Sequence, residues 1–308
     1  MERLLRPFLC GIVIVCGSYL PGNGPARASA PISRAVFFSA TDSKGAYVTD
    51  LIASEVTVKE GGKARAVSSL APATGRLQVS MVIDDGGLGT FQAGVTHFID
   101  VTLGRVDYAI SILNPQPLKL ADYVSDVPAL RTAVSALGQR GRVQQDGTQM
   151  IEAVSWAAKE LRARQALRPV IVVLTNGGEP TATDVNATGR SVTTAFNLAS
   201  RDQPVADVAE FVLNDLKGSG ASLHVVYVNG VSRGKVMGEG PKLSGGLLQN
   251  AASNSAVDQA LSEIAAHLIY QYRVTYVLPD GTKPSDRLEI TTSRKGVTLR
   301  APQRITER

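Results

Sequence analysis

The sequence is poor in cysteine and in aromatic residues, and each shortage excludes a class of function. Its two cysteines, Cys10 and Cys16, lie near the start of the chain, so the remainder is predicted to have no disulfide and no catalytic thiol. Aromatic residues make up only 5% of 308 residues and the net charge is +5, which argues against nucleic acid as a partner. With 44% hydrophobic and 19% charged residues, the composition is that of a globular protein.

Motifs that carry catalysis are also missing. Of the three histidines, His97 and His267 fall in predicted helices and His224 in a predicted buried strand, and none has the spacing of a metal-ligand motif. No Gly-x-Ser-x-Gly occurs, and residues 229–236 lack the first glycine and the final Ser or Thr of a phosphate-binding loop. We therefore predict a protein that is not an enzyme.

Residues 1–28 have the features of a signal peptide. Arg3 and Arg6 precede an apolar run over residues 8–20, and Ala26-Arg27-Ala28 matches a small-x-small cleavage site. The run is shorter than the roughly 20 apolar residues that a membrane span needs, and no later run is long enough. We expect an exported protein, periplasmic or secreted, with no integral membrane span after cleavage. An uncleaved N-terminal anchor is the alternative.

Two strand-rich segments flank a region of mixed character. Strand signals over residues 31–70 include a short hairpin at Gly61-Gly62, and apolar and polar residues alternate over residues 271–303. We predict that the second segment pairs with the first to form a small β-rich domain. Residues 68–75 are interpreted as a linker to the middle of the chain.

Residues 76–270 alternate apolar strands with amphipathic helices. Residues 77–83 are a mostly apolar run typical of a buried parallel strand, and residues 205–216 carry a clear helical stripe. This alternation predicts an α/β fold with a doubly wound, mostly parallel sheet. The glycine-rich segment 230–246 is predicted to be a surface loop.

Polar residues lie in three loops that this architecture brings to one edge of the sheet. Asp84, Asp85 and Gly86 follow the first apolar strand, Thr148 opens a helix, and Asn176 follows a later apolar strand. Ligands of open parallel sheets bind at the carboxyl ends of the strands. We therefore predict that these five residues line a binding crevice.

The three loops resemble those of von Willebrand factor type A (VWA) domains. The matching segments are VSMVIDDGGLG, QQDGTQMIEAV and VIVVLTNGGEP, and both flanks resemble those of secreted bacterial VWA-related proteins. The resemblance spans residues 36–303 and implies a Rossmann-like α/β domain. Because one fold hosts many functions, the site has to be argued from its own residues.

The resemblance also implies a metal-ion-dependent adhesion site, built from Asp-x-Ser-x-Ser, a Thr and a second Asp around Mg²⁺ or Mn²⁺. Here the first Asp is Asp84 and the Thr is Thr148, whereas Gly86 and Leu88 replace the serines and Asn176 replaces the last Asp. We expect a degenerate site without a metal cofactor. If Mg²⁺ or Mn²⁺ is held, its ligands would be Asp84, Thr148 and Asn176.

Two functions follow from this site. The first is protein–protein recognition through the crevice around Asp84, Asp85, Gly86, Thr148 and Asn176, with a partner and an oligomeric state that the sequence does not identify. The alternative is a structural or assembly component of the cell envelope in which the degenerate site is idle and another surface makes the contacts. In that case Asp84 and Thr148 would only stabilise turns and a helix start.

Overall fold

The computed structural model describes residues 31–113, 117–142, 147–179, 205–228 and 234–306. The predicted signal peptide lies outside these residues. Within them, no helix has both the length and the apolar character needed to cross a membrane.

Twelve strands and six helices make up the described chain, together with one short 3-10 turn at Ala53–Glu55. The strands are β1 (Ile32–Thr41), β2 (Val56–Glu60), β3 (Lys63–Pro72), β4 (Leu77–Asp84), β5 (Val106–Leu113), β6 (Pro117–Val124), β7 (Pro169–Thr175), β8 (Ser222–Val228), β9 (Leu248–Ala251), β10 (Tyr272–Leu278), β11 (Leu288–Thr292) and β12 (Thr298–Arg300). The helices are α1 (Gln92–Thr102), α2 (Val127–Ser135), α3 (Gly147–Ala163), α4 (Val205–Ser219), α5 (Lys235–Ser244) and α6 (Asn254–Ile269).

One sheet is mostly parallel and has helices on both faces. Its strand order is β6-β5-β4-β7-β8-β9, and only the β5–β6 pair is antiparallel. Helices α1, α2 and α6 pack on one face, and α3, α4 and α5 pack on the other. Alternate residues of β7 enter the two cores, with Val172 on one side and Val173 on the other. The apolar run of this strand follows from burial on both faces, and the predicted α/β class is confirmed.

The second sheet is antiparallel and draws on both ends of the described chain. Its order is β11-β2-β3-β10-β1-β12, so β10 lies between β1 and β3. The strands at the two ends of this order also approach each other, because the amide of Leu288 donates to the carbonyl of Gln303 at 3.0 Å. A backbone bridge between Arg287 and Arg304 adds to this closure. We call this sheet the β roll; the closure leaves less free strand edge exposed.

Two local predictions were wrong. Residues 68–72 belong to β3 instead of a linker, because they pair with β10 through Ser69 opposite Thr275 and Leu70 opposite Val274. Most of the segment predicted as a surface loop, 230–246, is helix α5, whose residue Met237 is buried in the core beneath α4. Strand β6, which no apolar run marked, pairs at the edge of the parallel sheet.

The chain passes between the β roll and the α/β domain at two places, and Arg168 contacts both. One guanidinium nitrogen, Nη1, donates to the carbonyls of Ala73 and Gly75 at 3.1 and 2.7 Å, in the segment between β3 and β4. The other, Nη2, donates to the carbonyl of Leu268 and to Oε1 of Gln271, at 2.7 and 3.0 Å, where α6 gives way to β10. Four donors of one side chain therefore hold the two crossings together, and we call this set of contacts the Arg168 clamp.

The clamp is buried, and its side chain has no acidic partner among these contacts. Arg168 is 5% exposed, and its guanidinium lies 5.4 Å from the ring centroid of Phe37 in β1. Burial lowers the pKa of Arg168 to about 10, so the group stays charged at neutral pH. The two crossings also contact each other directly, since the amide of Ala73 donates to the carbonyl of Gln271 at 2.8 Å.

Replacing Arg168 is expected to destabilise the whole protein. Arg168→Ala removes four charged hydrogen bonds and leaves buried carbonyls such as that of Leu268 without this donor, which we expect to lower the free energy of unfolding by at least about 2 kcal/mol. Arg168→Lys keeps the charge but not the planar fork, so it should recover only part of the loss. Urea unfolding followed by circular dichroism measures both.

The matched control is Arg131→Ala, which truncates an exposed arginine of α2. Its effect should stay within about 0.5 kcal/mol. An Arg168→Lys protein as stable as the wild type would show that the positive charge, and not the forked geometry, holds the crossings.

Candidate functional site

The first predicted loop begins where β4 ends, and its two carboxylates are both buried. Asp84 is the last residue of β4, and one of its carboxylate oxygens accepts a hydrogen bond from Oγ1 of Thr175 at 3.0 Å. Thr175 ends the neighbouring parallel strand β7. The hydroxyl oxygen of Thr175 in turn accepts the amide of Gly177 at 2.9 Å. Asp84 thus ties the ends of the two central strands together.

Asp85 organises the loop that follows. Its Oδ1 accepts the amide of Gly87 at 2.9 Å, and its Oδ2 accepts the amide of Gly89 at 2.8 Å. The guanidinium of Arg140 lies 2.6 Å from the same Oδ1 and forms an ion pair with it. Both carboxylate oxygens therefore have donors within the protein. The sequence marked Asp85 but did not mark Arg140.

Glycines allow the loop its shape. Gly86 has a φ of +60°, a left-handed conformation that favours glycine. Gly89 has a φ of +72°, and a Cβ at this position would lie 2.9 Å from the amide nitrogen of Gln139. The loop therefore fits closely against the segment after α2. Leu88 alone points its apolar side chain outward, with 42% of its surface exposed.

The third predicted loop meets the first. The backbone amide of Asn176 donates to the carbonyl of Asp84 at 3.1 Å, and the side-chain Nδ2 of Asn176 donates to the carbonyl of Asp85 at 3.2 Å. Asp84, Asp85, Gly86 and Asn176 thus share one edge of the sheet, at the carboxyl ends of β4 and β7. Thr148 is the second residue of α3, but its side chain lies outside the described residues, as do residues 143–146 of the second loop.

The side chains described at this edge do not match the donor set of a hexacoordinate Mg²⁺ or Mn²⁺ ion. Such ions require near-octahedral oxygen ligands. Gly86 has no side chain, Leu88 is apolar, and Asn176 turns its amide nitrogen toward the carbonyl of Asp85. The carboxylate of Asp85 is already paired with Arg140. Across the described ranges, no cluster of three or more His, Cys, Asp or Glu residues has a geometry suited to a metal.

A further carboxylate, Glu179, lies in the third loop and serves the start of α5. Its two oxygens accept the amides of Val236 and Met237 at 2.8 and 2.6 Å. Burial raises the pKa of Glu179, while these two hydrogen bonds act in the opposite direction. A negative charge at a helix N-terminus satisfies amides that have no partner within the helix. Glu179 is thus a helix cap from a distant part of the sequence.

The histidines lie away from this edge. His97 is exposed on α1, where its Nε2 is 3.1 Å from Oγ of Ser262. His224 and His267 are buried and pack edge to face, with ring centroids 5.2 Å apart. Nδ1 of His267 lies 2.9 Å from Oγ of Ser39 in β1, so this pair lies between the α/β domain and the β roll.

Both buried histidines are held neutral. Burial is the main cause; it lowers the pKa of His224 well below 6.5, with further contributions from His267 and Arg300. Burial likewise lowers the pKa of His267 to about 3, and Arg300 adds to this effect. Nδ1 of His224 accepts the amide of Leu247 at 3.2 Å, which places the proton of the neutral ring on Nε2. A neutral pair of this kind is structural.

Comparison with known proteins gives matches only among solved structures. No protein-family model matches the chain, and no curated protein matches it. Similar folds include a von Willebrand factor type A protein from Catenulispora acidiphila, at 12% identity and a TM-score of 0.45, which covers 86% of this chain and 71% of that one. Another is the vWF domain of the type V pili tip protein Mfa5 from Porphyromonas gingivalis, at 12% identity and a TM-score of 0.43, covering 63% of this chain and 95% of that one.

A third similar structure is a D319A mutant of the PilB minor pilin from Streptococcus sanguinis, at 13% identity and a TM-score of 0.42. This match covers 64% of the present chain and 62% of the pilin, so the chain spans less than two thirds of that protein. These likenesses are of fold, and the identities are too low to transfer a function.

The histidine pair predicts loss of stability in acid. The unfolded chain protonates its histidines below about pH 6.5, whereas the folded protein resists protonation of His267 down to about pH 3. Lowering the pH from 7.5 to 5 should therefore reduce the free energy of unfolding by about 2 kcal/mol through His267, and His224 should contribute in the same direction. Urea unfolding at several pH values measures this slope.

The double variant His224→Asn, His267→Asn keeps a polar group near each Nδ1 position and should flatten the dependence between pH 7.5 and 5. His97→Gln, which removes the exposed histidine, is the matched control. An unchanged slope in the double variant would contradict the assignment.

Proposed function

We propose that this chain is an exported, non-enzymatic protein that recognises a protein partner through the carboxyl edge of its α/β sheet, without a bound metal. We call this edge the recognition face and define it by the loop from Asp84 to Gly89 together with Asn176 and Thr148. Its partner is a protein, and neither nucleic acid nor a membrane span is part of the proposal.

The observation that carries the proposal is the exposed side chain of Leu88 on a loop held in place from within. Asp85 fixes the amides on either side of Leu88, and Arg140 fixes Asp85. An apolar side chain presented by a preorganised loop loses little conformational entropy when a partner covers it. A loop of this kind suits contact with a surface better than it suits chemistry on a small substrate.

The absence of an enzymatic role is supported by where the reactive groups lie. The buried histidines pack against each other, Glu179 is a helix cap, and both carboxylates of the first loop are engaged in hydrogen bonds within the protein. General acid–base catalysis requires a group that can reach a substrate and exchange a proton with it. We find no such arrangement among the described residues of this edge.

A second surface supports the alternative of an envelope assembly component. Trp156, the single tryptophan of the chain, lies on α3 with 76% of its surface exposed. Exposed tryptophans are enriched at protein interfaces. If α3 makes the biological contact, the recognition face is idle, as this alternative requires.

Site-specific photo-crosslinking distinguishes these surfaces. A photoreactive phenylalanine derivative is placed at Leu88, at Trp156 or at Val101 in the protein expressed in its own cells. Val101 is the matched control, because it is exposed to a similar extent (43%) but lies near the end of α1, at the opposite edge of the sheet. We expect a discrete protein adduct from position 88 and none from position 101.

Affinity measurements with the partner so identified complete the test. Leu88→Asp should weaken binding at least about tenfold, as expected for an apolar contact at the centre of an interface, and Val101→Asp should leave binding unchanged. Adducts from position 156 alone would reject the recognition face and support the assembly alternative.

A further inference from the structure

Arg140 has the surroundings of a bound cation. Its Nη2 lies 2.6 Å from Oδ1 of Asp85, and its Nη1 donates to the carbonyls of Ala136 and Gly138 at 3.1 and 3.0 Å. One carboxylate and two backbone carbonyls are oxygen ligands of the type that hard metal ions take in proteins. Here they surround a guanidinium group.

The same arginine joins two elements that are distant in sequence. The carbonyls that it contacts follow the last turn of α2, where the helix dipole favours a positive charge. Its own backbone amide donates to the carbonyl of Gly87 at 2.9 Å, in the loop that Asp85 organises. The loop and the end of α2 are therefore connected by both the backbone and the side chain of one residue.

The close approach of these elements depends on Gly89. A Cβ at this position would lie 2.9 Å from the amide nitrogen of Gln139 and 3.0 Å from the carbonyl carbon of Gly138, which is too close for atoms that are not bonded. The missing side chain of Gly89 thus lets the loop approach the segment after α2 closely enough for the carboxylate of Asp85 to contact Arg140. A longer separation would leave the buried carboxylate of Asp85 without its ion-pair partner, which is costly.

We propose that Arg140 is the cation that holds the loop from Asp85 to Gly89 in place, so that the loop is ordered by a charge belonging to the chain itself. The order of the loop is then independent of divalent cations. This inference concerns how the loop is held, and it stands whether or not the loop contacts a partner.

The test combines thermal unfolding with hydrogen exchange of the full mature chain. Each is measured in EDTA and in Mg²⁺ or Mn²⁺ at about 10 mM. A metal ion at about a hundred times its dissociation constant would raise the Tm by several degrees. We expect no such rise in the wild type, and slow exchange of the Gly87 and Gly89 amides in EDTA. A rise in the wild-type Tm with Mg²⁺ that Asp84→Ala abolishes would overturn the proposal.

Arg140→Gln removes the charge and should speed exchange in peptides covering residues 85–89 by at least about tenfold. Arg142→Gln, which changes an exposed arginine two residues away, is the matched control and should leave exchange unchanged. Arg140→Lys guards against a general loss of folding: it keeps a positive charge and should retain part of the protection. Unaltered exchange at residues 85–89 in Arg140→Gln would also overturn the proposal.

A double-mutant cycle gives an independent readout. Asp85→Asn should lower the Tm by removing the charge that Arg140 pairs with, so Arg140→Gln added to it should lower the Tm much less than it does in the wild type. Full additivity of the two changes would show that the 2.6 Å contact does not couple them.

Discussion

The forked contact of Arg168 is the constraint on which the relation between the two sheets depends. The planar guanidinium reaches both chain crossings at once, with one terminal nitrogen on each, and arginine is the residue that provides this forked geometry. The cost of burying its charge is offset by oxygens that are all backbone or amide acceptors. The β roll and the α/β domain are thus joined by polar contacts at their centre.

The clamp and the recognition face lie at opposite ends of one strand. Arg168 immediately precedes β7, and Asn176 immediately follows it. Seven strand residues span about 23 Å at 3.3 Å per residue. The strand is buried on both faces and paired on both sides, with β4 and β8, so it is a rigid spacer between the two features. The carboxyl-edge loops are therefore presented on the side of the sheet away from the β roll.

Sequence patterns predicted the elements whose burial is complete, and failed where structure is set by distant contacts. The apolar runs of β4 and β7 indicated buried parallel strands correctly. Helix α5 was missed because its glycines and Pro241 are typical of a loop. Packing explains one of these glycines, since a Cβ on Gly240 would lie 2.7 Å from the side chain of Leu223 in β8. Its N-terminal cap comes from Glu179, far away in the chain, and no local pattern shows this.

The candidate site was predictable to a similar extent. Parallel strand geometry explains why Asp84, Asp85 and Asn176 lie together, and their residue types already indicated a departure from the metal-binding pattern. The ion pair of Arg140 with Asp85 could not be predicted from the sequence, because the two residues are far apart in the chain. An arginine that follows a helix has no local pattern that indicates a partner in another loop. The pairing depends on tertiary packing around Gly89.

The hydrogen bond between Ala73 and Gln271 has a consequence for the order of assembly. Strands β1 and β10 are far apart in the chain, and bringing such distant segments together carries a loop-closure cost before their contacts form. A folded α/β domain places its own two ends side by side and so removes most of that cost. In the β roll, the C-terminal strands β10, β11 and β12 pair with the N-terminal strands β1, β2 and β3. We therefore expect the β roll to complete its strand pairing after the α/β domain has formed.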